Sequence, residues 1–146
     1  MYLTLETDYA IRITTCLAHE NRKIDAHFIS EHSKIPLRFS LKILRKLVGA
    51  GIARSFKGMH GGYILAKSPK ETTLLEVIEA VEGPFVISRC QNEFYECNQS
   101  VCKVNSVYQE LTDFSKQKLR ACNFAYLGTD EPCELQRKKE QAVFQV

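Results

Sequence analysis

A chain of 146 residues, 45% hydrophobic and 25% charged, has the make-up of one compact soluble domain with a small appendage. That composition argues against a wholly disordered chain, and the length argues against two full domains. No apolar run approaches the roughly 18 residues of a membrane span, and residues 1–6 lack a charged leader before an apolar block, so a cytoplasmic protein without a membrane partner is expected.

The net charge of +3 is unevenly spread. Nine basic residues and no acid lie from Lys34 to Lys70, whereas the chain from Val81 onward is slightly acidic. Such a stretch is either a phosphate-binding surface or a solvated basic face.

Taken in order, residues 5–19 read as a core helix with Tyr9, Ile13, Cys16 and Leu17 on one face and Thr4 as cap. Residues 26–33 form a short second helix capped by Asp25, with Phe28 and Ile29 as its buried pair. After a turn at 33–36 comes a helix to about Ala50, with Phe39, Ile43, Leu44 and Leu47 as its apolar stripe and Arg38, Lys42, Arg45 and Lys46 opposite. Gly51 ends it, and residues 52–56 and 62–66 read as a hairpin with a basic, glycine-rich tip. Thr73 and Glu76 make a capping box for a further helix, which Gly83-Pro84 closes.

Residues 85–101 show no period. From Val104 a long helix is expected to about Tyr126, with Val104, Val107, Leu111 and Phe114 as one stripe and Tyr108, Leu119, Cys122 and Tyr126 as its neighbour. Its destination is a second subunit or its own domain. The expected fold is therefore mainly α with a small β-hairpin wing. It divides into a winged helix-turn-helix domain at 1–83, a loop at 84–103, a dimerisation helix at 104–126 and a polar tail at 127–146.

Helix, turn, basic helix and hairpin, in that order, are the parts of a winged helix-turn-helix, whose second helix enters the major groove of double-stranded DNA. Arg38, Ser40, Lys42 and Arg45 are the candidate contacts on that helix, and Lys57, Gly58 and His60 those at the wing tip. In isolation Gly61-Gly62 read more commonly as a plain hairpin turn than as a DNA wing.

Cys90, Cys97 and Cys102 follow the pattern C-x6-C-x4-C on the aperiodic loop. Zinc clamps place their cysteines closer and in pairs, and no histidine follows His60 to complete a ligand set. Three thiolates on one open loop suit an iron-sulfur cluster with a different fourth ligand. Free thiols remain the simpler reading. Cys16 fits core packing, while Cys122 and Cys133 carry no assignment.

The stretch Leu5-Glu6-Thr7-Asp8-Tyr9-Ala10-Ile11-Arg12, residues 35–51, Lys57-Gly58-Met59-His60-Gly61-Gly62-Tyr63-Ile64-Leu65 and the three cysteines together resemble the iron-sulfur winged-helix regulators, the IscR/NsrR-type repressors. The resemblance spans roughly residues 1–126. It implies a homodimer on promoter DNA whose cluster state, answering nitric oxide, oxygen, redox or iron-sulfur supply, controls affinity. It also implies a metal-ligand role for Asp8, supplied by the other subunit, and with it a 4Fe-4S cluster in preference to 2Fe-2S. The surface alternative for Asp8 is an i, i+4 pair with Arg12. Where the cluster-assembly type has a histidine three residues after its last cysteine, this chain has Asn105. A cluster-free thiol switch, a zinc-bound regulator and an iron-sulfur electron carrier are the alternatives. The chain carries no P-loop, nucleophile elbow or paired carboxylates beside a histidine, so no enzyme is expected.

Overall fold

The first helix starts where the sequence supplies its cap. In a computed structural model, which describes residues 3–98 and 102–128, α1 spans Leu5–Glu20, and Thr4 Oγ1 accepts from the Thr7 amide at 3.4 Å. Asn21, left-handed at φ 46°, ends it. Helix α2, Ala26–Ser33, begins at Asp25, whose carboxylate accepts from the Phe28 amide at 2.9 Å, and stops at Lys34, also left-handed. Asparagine tolerates that backbone region; lysine there is uncommon and fixes a tight turn. Helix α3, Leu37–Gly49, follows Pro36.

Strands β1 (Ala53–Phe56) and β2 (Gly62–Leu65) pair antiparallel, Ala53 opposite Leu65 and Phe56 opposite Gly62. Ile24 adds a third edge: its amide and carbonyl exchange bonds with Tyr63 at 3.0 and 2.8 Å. A Cβ on Gly62 would lie 2.6 Å from the Ile24 carbonyl oxygen, so this close approach requires glycine. Helix α4, Leu74–Glu82, opens with the reciprocal Thr73–Glu76 box. At its far end Glu82 Oε1 accepts from the Thr4 amide at 3.0 Å, tying α4 to the start of α1.

The core is built from Ala10, Ile13 and Leu17 of α1, Ile29 of α2, Ile43, Leu44 and Leu47 of α3, and Val77 of α4. Burying each large aliphatic stabilises the fold by about 1.5–3 kcal/mol. Phe39 does not belong to this face. The buried positions of α3 are 40, 43, 44 and 47, so Ser40 takes the inner place and Phe39 stands 47% exposed, 6.1 Å from the Tyr9 ring.

A 3₁₀ turn, Arg89–Gln91, precedes α5, Lys103–Ala121. The expected helix to Tyr126 is broken: Cys122 and Asn123 are extended, and Asn123 caps a last short helix, α6, Phe124–Leu127. Tertiary bonds redirect the chain there. The Leu74 amide donates to the Cys122 carbonyl at 2.9 Å, the Phe124 amide to Thr72 at 3.0 Å and the Ala125 amide to Pro69 at 3.1 Å. Phe124 enters the core fully buried. Among the described residues no helix is long and apolar enough to cross a membrane.

Candidate nucleic-acid interface and cysteine loop

Helix α3 presents Arg38, Lys42 and Arg45 to solvent along one shallow groove, spaced four and three residues apart and so on one helix face. Phe39 and Leu41 line the same groove. Ser40 does not belong with them. It is fully buried, its hydroxyl donating to the Ile35 carbonyl at 3.2 Å, and it joins α3 to the preceding turn instead of reaching a ligand.

Lys42 and Lys46 are not free cations, because both donate to the Glu6 carboxylate of α1. Those two hydrogen bonds, Lys42 first, hold the Glu6 carboxyl down at a pKa of about 2. Glu6 thus holds both ammonium groups in an ion pair within the chain.

At the wing tip Lys57, Gly58, Met59 and His60 are exposed, Met59 by 95%. Gly58 sits at φ +96°, and its carbonyl accepts from the Gly61 amide at 3.0 Å to close the turn. Arg22 and Lys23, between α1 and α2, line one recess with Met59 and His60. The Ile24–Tyr63 bridge puts them there. A basic pair directly ahead of a strand-like residue was the available signal.

The start of the cysteine loop is docked on α5 through Cys90 and Gln91. The Gln91 side-chain carbonyl accepts from the Ile87 and Ser88 amides, both at 3.0 Å, while its amide donates to the buried Thr112 hydroxyl at 2.9 Å. Cys90 is half-buried, its thiol 3.2 Å from Ser88 Oγ and 3.7 Å from Asn105 Oδ1 in the first turn of α5. Cys102 caps that helix, half-buried, and Cys97 is exposed.

The five described cysteines are all free thiols, and among the described residues no three Cys, His, Asp or Glu side chains are gathered closely enough to hold a metal. The donors therefore fit an iron-sulfur cluster in kind. To share one, Cys90, Cys97 and Cys102 must be drawn together. Asp8 is exposed on α1, 3.5 Å from Arg12 Nε as an i, i+4 pair. Burial raises the pKa of Cys16 and of Cys122, as befits packing residues. Cys133 lies outside the described residues.

The model of the Rrf2 family, described as iron-dependent transcriptional regulators, matches residues 3–130. The chain belongs to the Rrf2 family. Among its Rrf2 relatives, the HTH-type transcriptional regulator IscR of Cronobacter sakazakii is 28% identical over 115 residues, covering 77% of this chain and 71% of that one. NsrR of Bacillus subtilis is 28% identical over 109 residues, covering 73% and 72%. In fold, the chain matches the structure of CymR, the global cysteine regulator of B. subtilis, with a TM-score of 0.73 at 18% identity, covering 90% of this chain and 99% of that one. The winged-helix expectation is met, and Rrf2 proteins are DNA-binding transcriptional regulators rather than enzymes.

Proposed function

We propose that this Rrf2 protein is a homodimeric repressor that binds double-stranded promoter DNA through α3 and the wing, under the control of an iron-sulfur cluster on Cys90, Cys97 and Cys102. The observation that carries the DNA reading is the solvent-facing row Arg38, Lys42 and Arg45 directly ahead of a basic hairpin. Arginines at 38 and 45 suit bidentate contacts to guanine edges, Phe39 suits a thymine methyl, and Lys57 and His60 suit the flanking backbone. Gly58 lets the wing main chain come close.

The dimer reading rests on α5. Val104, Val107, Leu111 and Phe114 stand 48–59% exposed along one stripe, which monomeric folding leaves bare. Asp8 of the partner subunit would complete the ligand set, with 4Fe-4S preferred. When bound, the cluster supplies iron that reacts with nitric oxide, oxygen or redox partners. The chain's own part is to hold three thiolates on a loop clamped to α5 through Gln91 and Thr112.

A cluster-free thiol switch is the second reading, favoured by the contacts that already engage Cys90 with Ser88 and Asn105. Anaerobic purification with iron and sulfide analysis, paired with DNA binding before and after chelation, separates the two. Stoichiometric iron and sulfide with chelation-sensitive binding supports the cluster. A colourless protein whose DNA affinity answers oxidant and reductant supports the switch.

A further inference from the structure

Among the described residues two buried side-chain polar atoms have no hydrogen-bond partner, Arg12 Nε and Ser33 Oγ, and both line the same cavity. This cavity, of about 470 Å³, lies between α1, the end of α2 and α6. Ser33 is only 7% exposed. Asp8 forms an ion pair with Arg12 Nε at 3.5 Å but no hydrogen bond to it, and the Cys16 thiol beside Ser33 is a weak acceptor. Buried donors left unpaired are costly, so two converging on one opening point to an acceptor brought from outside.

The surrounding charge states what kind of acceptor. His19, His32 and Lys34 line the cavity with Arg12. The acid there, Glu20, is engaged by Arg22 at 2.8 Å. His32 Nδ1 is 2.9 Å from the Phe28 carbonyl, which commits its proton to that bond. Cys16, kept protonated by burial, adds no negative charge.

We propose that this cavity is a binding site for a small oxyanion, a carboxylate or a phosphate, which accepts from Arg12 Nε and Ser33 Oγ with Lys34 as its counter-charge. The site lies apart from both the cysteine loop and the exposed face of α3. Ser33 and Lys34 form the turn that carries α3, and Arg12 Nη2 already reaches the Lys34 carbonyl at 3.5 Å, so the ligand sits on the joint between α1 and the recognition helix.

The test is a titration of the isotope-labelled full chain, without DNA, by inorganic phosphate and separately by succinate, each balanced with chloride to constant ionic strength. Amide signals of Ser33 and Lys34 and the Arg12 Nε–H signal are followed by NMR. Saturable shifts at all three with a Kd of about 1 mM or tighter are expected for at least one probe, and which probe saturates separates phosphate from carboxylate ligands. Arg12→Gln and Ser33→Ala should each weaken binding about tenfold, equivalent to about 1.4 kcal/mol. Arg45→Ala should leave it unchanged, which excludes anions collecting on α3. If Arg12→Gln does not fold, Ser33→Ala decides alone, since removing an unpaired hydroxyl should not lower the melting temperature. Unsaturable or absent shifts with both probes, undiminished affinity in Ser33→Ala, or loss of binding in Arg45→Ala would each overturn the proposal.

Discussion

Glu6→Gln should strengthen DNA binding, and the gain should vanish with salt. In the free protein Glu6 holds both Lys42 and Lys46, so its single negative charge already offsets one of their two positive charges before DNA arrives. The amide releases them. Each additional phosphate neutralised adds about 0.9 to the slope of log affinity against log salt, so the one net positive charge gained adds about 0.9. Between 50 and 200 mM salt, a fourfold change, the advantage of Glu6→Gln over wild type should therefore shrink by roughly 3.5-fold. Fluorescence anisotropy on any labelled duplex measures this, because phosphates carry no sequence. The Glu6 pKa is depressed from 4.5 to about 2, so the pairing is complete above the ordinary value and is lost only as pH falls through about 2. The effect should thus be constant from about pH 5 to pH 8. An affinity ratio independent of salt, or weaker binding in Glu6→Gln, would refute the reading that Glu6 offsets charge on Lys42 and Lys46.

Phe124→Ala should cost about 3–5 kcal/mol by leaving a cavity, lowering the melting temperature by about 10–20 °C in calorimetry; a drop within a few degrees would mean that α6 is not part of the core. Leu111→Glu and Phe114→Glu change exposed positions, so the monomer should keep its helical circular dichroism while native mass spectrometry shows the dimer lost. An intact dimer in both would place the interface elsewhere. Cys90→Ala, Cys97→Ala and Cys102→Ala should each abolish an iron-sulfur chromophore that Cys122→Ala and Cys133→Ala retain, and bleaching by either of the latter would put the ligands on a different segment. Asp8→Ala should alter the spectrum or make the cluster labile; an unchanged spectrum with all three cysteines required would leave Asp8 as the surface partner of Arg12.

Local signals carried most of the fold. Thr4, Asp25 and the Thr73–Glu76 box cap helices at the positions where their side chains demand it, and Gly51 ends α3, because capping is settled within a single turn. The places where reading along the chain fell short are those where distant segments decide. Periodicity sets Phe39 and Ser40 almost equally on the inner face of α3, and only the docked turn, which needs a small hydroxyl bonded to Ile35, gives the buried place to Ser40. The helical stripe likewise runs on past Ala121, yet the bridge between Asn123 and Thr73 ends it. Asn123 as the cap of α6 was visible in principle as an asparagine ahead of Phe-Ala-Tyr-Leu. On α3, spacing put Arg38, Lys42 and Arg45 on one exposed face, as the structure has them, but it could not reveal Glu6, 36 residues before Lys42, or the contact of Asn105 with Cys90.

Because Phe124 completes the core of the DNA-binding body, that body is discontinuous along the chain. A ribosome emitting it N-terminus first finishes α4 about forty residues before the last core side chain emerges, a delay of about 2–8 s at 5–20 residues per second. During that interval the slot for Phe124 stands open while the cysteine loop and then α5 leave the tunnel. The order of synthesis therefore leaves the three thiols and the α5 stripe exposed before the winged-helix half has reached its final stability. A fragment cut after Gly83, which would contain every proposed DNA contact, should be born with that vacancy permanently unfilled.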